Sequence, residues 1–299
     1  MAAGRASRLA PHGRTLTPVS PLPLLLSQDL GFNDVGFHGS KQIPTPHIDS
    51  IAKEGVTLNN YHVQPVCSPT RSTIMSGRHV IHTGIYMPFS QGTNLRLHLN
   101  YTLLPGYLKK LGYATHMVGK WCVSCCFAIL SRLAVPTHNQ CCAHSSFASN
   151  LSRHLGQNVL EALPTGRGFD SYFGYWSGAE DYYSHECKGA YDLADGVRTA
   201  FEYNDTYSTF TWNQKAVEVI EQSDAATPFF LYLAYQNVHW PLEAPQEYLD
   251  RFANNTGGNK ERQSVCAMVA VMDESIGNIT KALKDKGIYD DTLLIFSTE

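Results

Sequence analysis

Residues 229–236 read Phe229-Phe-Leu-Tyr-Leu-Ala-Tyr-Gln236, an unbroken apolar run that ends in a polar residue. A short continuous run of this kind, rich in aromatic and leucine side chains, predicts a strand that is buried on both faces of a sheet. Residues 114–118 (ATHMV) and 292–298 (TLLIFST) are shorter or more mixed runs that also predict strands. We therefore expect a sheet whose central strands are covered on both sides.

Helical patterns separate these strands along the chain. Residues 103–111, 212–222 and 262–286 carry apolar side chains at helical spacing. Strands that alternate with helices predict an α/β fold, with a mostly parallel sheet flanked by helices. Ligands of such sheets bind beyond the carboxyl ends of the strands, and Lys120 and His239 follow two of the predicted strands.

Length and composition limit the possible functions. With 299 residues, of which 43% are hydrophobic, the chain is long enough to bury a large core. Its net charge of -3 argues against a nucleic-acid partner, because phosphate binding needs concentrated lysine and arginine. No apolar run approaches the ~20 residues of a membrane span, so we expect none.

The amino-terminal segment, residues 1–28, does not resemble the rest of the chain. It holds three arginines and no acidic residue, and its apolar run covers only residues 22–26. That run is too short for the core of a secretory signal peptide, and the composition is closer to that of a transit peptide. Neither pattern fits well, and a third possibility is that the segment is not the native start of the protein. We expect a disordered segment outside the domain.

Residues 67–78 read CSPTRSTIMSGR and hold a candidate nucleophile. Pro69 is favoured at the start of a helix, so Cys67 would lie at a helix N-terminus, where free N–H groups attract anions. Arg71, four residues further on, would return to the same face with a fork of donors that matches a sulfate. The alternative is an ordinary buried cysteine near an N-terminal proline, and this run alone leaves both readings open.

Further segments match the sequence motifs of one family, in the order in which that family has them. They are DLGFNDVG from residue 29, TPHIDSIAKEG from 45, GKW from 119, HLG from 154, RGFDSYFG from 167, DYYSH from 181 and NVHWP from 237. With these segments the chain resembles the type I sulfatases, closest to the arylsulfatase B-like members. The resemblance covers residues 29–121 and 154–299, and it implies that 29–299 is a sulfatase catalytic domain of the alkaline phosphatase-like fold.

The resemblance implies a sulfuric ester hydrolase that acts on a sulfated small molecule or a sulfated glycan. In the family the cysteine is oxidised to formylglycine by a formylglycine-generating enzyme, and the hydrated aldehyde attacks sulfur. By motif, Cys67 is the formylglycine precursor, Arg71 steadies it, and Lys120 contacts the sulfate. His154 helps to remove a proton from the nucleophile, and His239 assists the leaving oxygen. Ser184, with His185, is a candidate substrate contact, although tyrosine-rich loops more often serve packing.

The same resemblance implies one calcium ion (Ca²⁺), which prefers oxygen ligands. The expected ligands are Asp29, Gln28, the formylglycine at Cys67, and Glu299. Gln28 and Glu299 stand where the family has aspartates, and an asparagine and a lysine of the family motif have no counterpart here. Because affinity depends on ligand charge and number, we expect a weak calcium site, and we expect the chain to be a fragment or a flawed gene model of a sulfatase.

Residues 122–153 separate two segments that are contiguous in the family. They contain five of the eight cysteines, including a C-x-x-C pair and an adjacent pair. In one interpretation, the four thiols of these two pairs bind zinc, and the segment is a small zinc-binding insertion. In the other, which we favour because adjacent cysteines are awkward tetrahedral ligands, the segment is foreign sequence without a function.

Two other functions compete with the sulfatase reading. A phosphatase or phosphodiesterase of the same fold would use serine or threonine and zinc, against which Cys67 argues. A catalytically silent sulfatase-like protein, binding sulfated glycans or nothing, fits the altered ligands. Asn-x-Ser/Thr triplets favour a glycoprotein and a lysosomal or extracellular location; they lie at Asn100, Asn150, Asn204, Asn254 and Asn278. The sequence does not identify the sulfate ester or the oligomeric state.

Overall fold

The apolar runs of the sequence form the centre of a nine-stranded sheet in the computed structural model of the chain. The structure describes residues 2–5, 20–88, 96–121, 160–187, 189–224 and 226–299. The strands within these residues are β1 (Ala2–Arg5), β2 (Leu22–Ser27), β3 (Val56–Thr57), β4 (Ala114–Gly119), β5 (Ser171–Tyr175), β6 (Glu186–Cys187), β7 (Ala190–Tyr191), β8 (Leu193–Asp195), β9 (Arg198–Thr199), β10 (Phe229–Ala234) and β11 (Leu293–Thr298).

The central strands of the sheet are parallel. Across the sheet the order is β3-β1-β11-β2-β10-β4-β5-β8-β9, and β6 pairs with β7 in a separate hairpin. β11, β2, β10, β4 and β5 run parallel, whereas the pairs at the two edges are antiparallel. One register row joins Ile295, Leu24, Tyr232, Met117 and Tyr172 across the five parallel strands. The predicted α/β class and mostly parallel sheet are confirmed.

Helices cover both faces of this sheet. α7 is the longest, with 26 residues, and it begins where the side chain of Asn259 accepts a hydrogen bond from the Arg262 N–H at 3.0 Å. The helices within the described residues are α1 (Pro46–Glu54), α2 (Cys67–Ser76), α3 (Val80–Thr83), α4 (Leu104–Lys110), α5 (Ser208–Gln222), α6 (Gln246–Arg251) and α7 (Lys260–Asp285).

The side chains of β10 divide between two hydrophobic cores. Leu231 and Leu233 point to the core that β10 shares with α1, α5 and α7. Phe230 and Tyr232 point to the opposite core, where Phe169 stacks on both rings. Alternate side chains of a strand face opposite sides of a sheet, and all six residues of β10 are buried. Both cores therefore depend on this strand.

The predicted elements agree with the observed ones to within a few residues. The largest difference is at α5, which was expected to begin at residue 212 and begins at Ser208. Ser208, Thr209 and Thr211 are buried, so their helical turn is held by packing that a polar sequence does not reveal.

The structure corrects the domain boundary expected at residue 29. β2 pairs with β11 and β10 in the middle of the sheet, and Leu25 and Leu26 are fully buried. The run 22–26, too short for a signal peptide, has the length of a buried strand. The segment 1–28 is therefore not wholly outside the domain, and β1 also pairs with β11.

Two predictions fall outside the described residues. The segment 122–153, with both the zinc reading and the foreign-sequence reading, lies there, and so does His154. Within the ranges that the structure does describe, no helix combines the length and the apolar character that crossing a bilayer requires.

Candidate functional site

Four neighbouring parallel strands, β11, β2, β10 and β4, end at one edge of the sheet. Backbone hydrogen bonds join the segments that follow the strands, for example from the Gln28 N–H after β2 to the Asn237 carbonyl after β10 at 2.7 Å. Polar residues gather at this edge because the carboxyl ends of parallel strands meet there. The residues that follow the four strands are Glu299, Gln28 with Asp29, the segment 235–239, and Lys120.

Cys67 is the first residue of α2. The preceding Val66 has extended backbone (φ −148°, ψ 164°), and Pro69 lies in the first turn, where a missing N–H costs no helical hydrogen bond. The helix ends at Gly77, whose φ of 64° lies in the left-handed region. Cys67 is half-buried. The expected position at a helix N-terminus is therefore present, with the helix starting two residues before Pro69.

Arg71 binds protein groups in this structure. Its Nε and Nη2 atoms donate to the two carboxylate oxygens of Glu299 at 3.1 and 3.0 Å. Its Nη1 atom donates to the Lys120 carbonyl at 2.8 Å and lies 3.3 Å from the Tyr232 hydroxyl. Both charged side chains are buried, with 0% and 1% exposure. The expectation that the guanidinium fork faces a sulfate is thus wrong here, because Glu299 occupies the fork.

Lys120 follows β4 with its side chain fully buried. Its Nζ atom has no hydrogen-bond partner among the residues that the structure describes. The preceding Gly119 has a φ of 96°, and a Cβ atom there would lie 2.1 Å from the Ala234 carbonyl oxygen. Close packing of β4 against β10 therefore requires glycine at this position, which explains the Gly-Lys pair in the sequence.

His239 lies at the end of the loop that follows β10. Its Nδ1 atom is 2.6 Å from the Trp240 carbonyl oxygen, so Nδ1 carries a proton and Nε2 is left with the lone pair of the neutral ring. Nε2 is 3.9 Å from an Asp29 carboxylate oxygen. Burial and the charge of Lys120 lower the pKa of His239, although Asp29 and Cys67 act against the shift. The electrostatic contacts show that these four residues share one site.

The expected calcium ligands do not form a ligand group in this structure. Both carboxylate oxygens of Glu299 are taken by Arg71, and the Asp29 side chain is 58% exposed. Within the described ranges, no three His, Cys, Asp or Glu side chains are arranged to hold a metal ion. Gln28 differs from Glu299 and Asp29. Its carboxamide is buried, and neither polar atom has a hydrogen-bond partner in the described part of the chain. Glu299 is thus paired with Arg71 in this structure, and its role as a metal ligand stays a prediction.

Ser184 belongs to a turn that is closed by Asp181. The Asp181 carboxylate accepts hydrogen bonds from the Tyr183 and Ser184 N–H groups at 3.0 and 2.7 Å. His185, at the end of the turn, is fully buried and contacts Glu180 and the Tyr203 carbonyl. The described contacts thus link Ser184 to its own turn, and they place His185 in the interior and not on a substrate-facing surface.

Asp192 lies under this turn and is expected to make stability depend on pH. Burial raises its pKa to about 7, and the charge of Glu180 adds to the rise against hydrogen bonds from Ser177. In the unfolded chain the carboxyl titrates near ~4, so between pH ~4 and ~7 the folded state binds more protons and stability falls as the pH rises.

We expect the variant Asp192→Asn to lose this dependence, because the amide keeps the acceptor for the Ser177 N–H but does not titrate. Between pH ~4 and ~7, the free energy of unfolding of the unaltered chain should fall by up to about 4 kcal/mol more than that of the variant. Denaturant unfolding at both ends of the interval measures it. Equal pH dependence in the two proteins would show that Asp192 is ionised throughout.

Sequence reasoning missed several residues that shape the site. Glu180 and Tyr182 support the turn described above, and Tyr232 contacts Arg71 from within β10. The signal for Glu180 was present, since an acidic residue directly precedes the DYYSH motif. Tyr232 gave no signal, because it was one aromatic residue in an apolar strand.

Known proteins resemble this chain in sequence and in fold. A family model described as Sulfatase matches residues 24–298. Arylsulfatase J of Mus musculus is 37% identical over 304 residues, covering 99% of this chain and 44% of that protein. N-acetylgalactosamine-6-sulfatase of Homo sapiens is 27% identical, covering 92% of this chain and 49% of that protein.

The solved structure of Ps i-CgsB has a TM-score of 0.76 and 28% identity, covering 93% of this chain and 58% of that chain. The same protein has been crystallised in complex with k-i-k-neocarrahexaose, and that structure has a TM-score of 0.75. The present chain spans about half the length of the curated relatives that it matches. With the family model covering most of its residues and the Cys67, Lys120 and His239 motifs in place, the chain belongs to the type I sulfatase family.

Proposed function

We propose that this chain carries an arylsulfatase-type site, with Cys67 as the formylglycine precursor and a sulfate ester as the substrate. The single observation that carries the proposal is the Lys120 ammonium group, which is fully buried and has no hydrogen-bond partner among the described residues. It lies close enough to His239 to lower the pKa of that ring. Membership of the sulfatase family supports hydrolysis of sulfate esters by the whole protein.

A buried cation that has no counterion among the described residues predicts an anionic ligand. Removing an ammonium ion from water costs several kcal/mol unless an opposite charge accompanies it. The N-terminus of α2 at Cys67 presents further N–H donors and the positive end of the helix dipole. A sulfate ester carries negative charge on its non-bridging oxygens, so it satisfies both features at once.

His239 supplies a proton-transfer group next to this anion. The Trp240 carbonyl fixes the proton on Nδ1, which leaves Nε2 as the atom that exchanges a proton with the substrate. In the proposed reaction the ring starts as imidazolium, gives its Nε2 proton to the leaving oxygen of the ester, and returns to the neutral Nδ1–H form, which takes up the next proton from solvent. Arg71 acts indirectly, because it holds the carbonyl of Lys120 and thereby the position of the lysine.

Cys67 is suited to the modification that the family resemblance implies. It is half-buried and is the first residue of a helix, so part of its side chain is accessible. When converted by a formylglycine-generating enzyme, it would supply a hydrated aldehyde as the nucleophile for sulfur. His154, the proposed proton acceptor for that nucleophile, belongs to the proposal by motif alone.

Only Gln28 and Asp29 remain as candidate protein ligands for a calcium ion in the proposal. The Gln28 carboxamide oxygen is buried without a partner in the described residues, and Asp29 is the next residue in the chain. Since Glu299 is held by Arg71, the donors present do not fit a complete calcium site, and no step above depends on the ion.

A cavity of about 730 Å³ lies next to the proposed site, although Cys67, Lys120 and His239 are not among the described residues that line it. It opens beside Glu299 and is lined by aromatic side chains that include Phe32, Phe37 and Tyr61. Its volume is in the range of small-molecule sites, and aromatic walls suit the apolar faces of sugar rings. The similarity to Ps i-CgsB, which binds k-i-k-neocarrahexaose, supports a sulfated sugar as the substrate.

A catalytically silent protein is the second candidate function. The observation in its favour is the buried Arg71–Glu299 pair, which withdraws a carboxylate from the expected metal site. Such a protein would still bind a sulfated glycan through Lys120, but it would not turn the ester over.

We also propose a lysosomal or extracellular location with N-linked glycans. Among the described residues, Asn100, Asn204 and Asn254 are exposed in turns, and Asn278 is exposed on α7. Exposure in turns suits glycosylation of these triplets.

Substitution of Lys120 tests the proposed function. We expect Lys120→Met, in the chain co-produced with a formylglycine-generating enzyme, to lower kcat/KM for p-nitrophenyl sulfate by about a hundredfold or more, because the charge opposite the sulfate is lost. Methionine keeps most of the buried volume, so folding should persist.

Lys110→Met, on the exposed end of α4, is the control and should leave turnover unchanged. If the unaltered chain has no turnover but binds sulfated glycans more tightly than Lys120→Met does, the silent-protein reading replaces the enzyme. Equal turnover by both variants would refute a sulfate contact at Lys120.

A further inference from the structure

The turn DYYSH, residues 181–185, lies between two parts of the structure. One is the loop after β10, residues 235–243, which we call the catalytic loop, and the other is a buried polar cluster of Glu180, His185 and Ser208. Glu180 and His185 are both buried, and the His185 Nδ1 atom lies 3.2 Å from the Glu180 Oε1 atom. The Ser208 hydroxyl donates to the same oxygen at 3.2 Å. His185 Nε2 faces the Tyr203 carbonyl at 3.0 Å, so Nε2 carries a proton and a second proton is shared between Nδ1 and Glu180.

This proton sharing keeps the cluster electrically neutral. Either a carboxylate faces an imidazolium, or a carboxylic acid faces a neutral ring, and the net charge of the pair is zero in both cases. A neutral, hydrogen-bonded pair is tolerated in the interior, where an isolated charge is not. The cluster therefore holds Glu180 and His185 in place on either side of the turn between them.

Two hydrogen bonds link the turn to the loop that carries His239. The Tyr182 hydroxyl donates to the His239 carbonyl at 3.1 Å, and the Gln236 side-chain amide donates to the Glu180 carbonyl. The Tyr182 N–H also donates to the Glu243 carboxylate at 3.0 Å. The loop is thus held on both sides of His239, at Gln236 and at Glu243.

We infer that Tyr182 is a positioning residue for His239: its buried hydroxyl fixes the His239–Trp240 peptide and thereby the orientation of the imidazole ring. The ring of Tyr182 is fully buried and stacks on Tyr207 with centroids 5.2 Å apart, so the hydroxyl has little freedom. The relevance of this geometry to catalysis rests on the proposed function of His239.

The physical link runs through two consecutive peptide units that meet at the Trp240 Cα atom. The Tyr182 hydroxyl holds the carbonyl of His239, and the next carbonyl, that of Trp240, accepts the hydrogen bond from the imidazole Nδ1. If the first peptide loses its anchor, the Trp240 backbone gains freedom to shift relative to the ring, and the hydrogen bond from Nδ1 to the Trp240 carbonyl is weakened. The proton is then free to move to Nε2, which removes the lone pair that faces Asp29 and the substrate.

The experiment measures the tautomer of His239 and does not depend on turnover. Nuclear magnetic resonance of the chain labelled at its histidine nitrogens, at one fixed pH, distinguishes the Nδ1–H ring from the Nε2–H ring, and a His239→Gln variant assigns the signals. We expect the unaltered chain to show mostly the Nδ1–H form. Tyr182→Phe keeps the ring and removes the hydroxyl, and it should lower the Nδ1–H to Nε2–H ratio about fivefold, the effect of one ordinary hydrogen bond.

Tyr191→Phe is the matched control, because its hydroxyl donates to the Ala200 carbonyl at 2.7 Å and does not touch the catalytic loop. It should leave the His239 signals unchanged. Glu243→Ala is a second test at a half-buried position, where folding is less at risk, and it should shift the tautomer in the same direction because it removes the bond to the Tyr182 N–H.

Unchanged His239 signals in folded Tyr182→Phe, or in Glu243→Ala if the first variant does not fold, would overturn the inference. An equal shift in Tyr191→Phe would overturn it as well, because the effect would then be general loosening. A tautomer shift specific to Tyr182→Phe, in a chain without sulfatase turnover, would support the positioning role and would count against the proposed function, so the two failures are distinguishable.

Discussion

Replacing Cys67 by alanine is expected to lower the turnover of sulfate esters by at least about a thousandfold, because the variant has no nucleophile. Cys67 is the first residue of α2, and it lies in the same site as Lys120, His239 and Asp29. Alanine is a good helix former, so α2 should remain intact and the loss should appear in kcat. The measurement is the hydrolysis of p-nitrophenyl sulfate by chain co-produced with a formylglycine-generating enzyme.

Cys187→Ala is the matched control, since this half-buried cysteine lies in the β6–β7 hairpin and not at the carboxyl edge of the sheet. Its turnover should equal that of the unaltered chain. Cys67→Ala with turnover within about threefold of the control would be incompatible with a nucleophile at this position.

Replacing Arg71 by alanine is expected to lower the free energy of unfolding by about 3–5 kcal/mol, the usual effect of breaking a buried ion pair. Arg71 and Glu299 are fully buried, and the guanidinium also donates to the Lys120 carbonyl. The variant leaves the Glu299 carboxylate in the interior without its counterion, and it removes a contact between α2 and β4. Denaturant unfolding measures the loss.

Arg251→Ala provides the comparison, because its ion pair with Glu274 is exposed and should contribute only about 0–1 kcal/mol. The double variant Arg71→Met with Glu299→Leu should recover much of the stability, since apolar side chains of similar size often replace a buried pair at little cost. If the free energy of unfolding of Arg71→Ala is no lower than that of Arg251→Ala, the buried ion pair does not stabilise the folded chain.

The fold was predictable where the sequence contains continuous apolar runs. β10 was expected close to its observed limits, because a strand that is buried on both faces is apolar along its whole length. β4, which contains Thr115 and His116, was expected from its place after a helical pattern. β2 was missed although it has the same character as β10, since its run of leucines lies next to arginine-rich sequence that resembles a targeting segment. Local composition does not reveal that this run lies between β11 and β10.

The candidate site was predictable only in part. Local motifs place Cys67 at a helix start and Lys120 after a strand, and both are found there. The partner of Arg71 was not predictable, because Glu299 is 228 residues away in the chain and the motif suggested a sulfate in that position. The bond from Tyr182 to His239 likewise joins loops whose proximity follows from the tertiary fold.

The proposed reaction depends on the conversion of Cys67 to formylglycine. Mass spectrometry of the peptide that carries Cys67, from chain produced in cells with the converting enzyme, detects this conversion. We expect the mass of an aldehyde in place of the thiol, and an adduct with a hydrazide reagent at that residue. An unmodified Cys67 thiol in folded chain, under conditions that convert a known sulfatase, would contradict it.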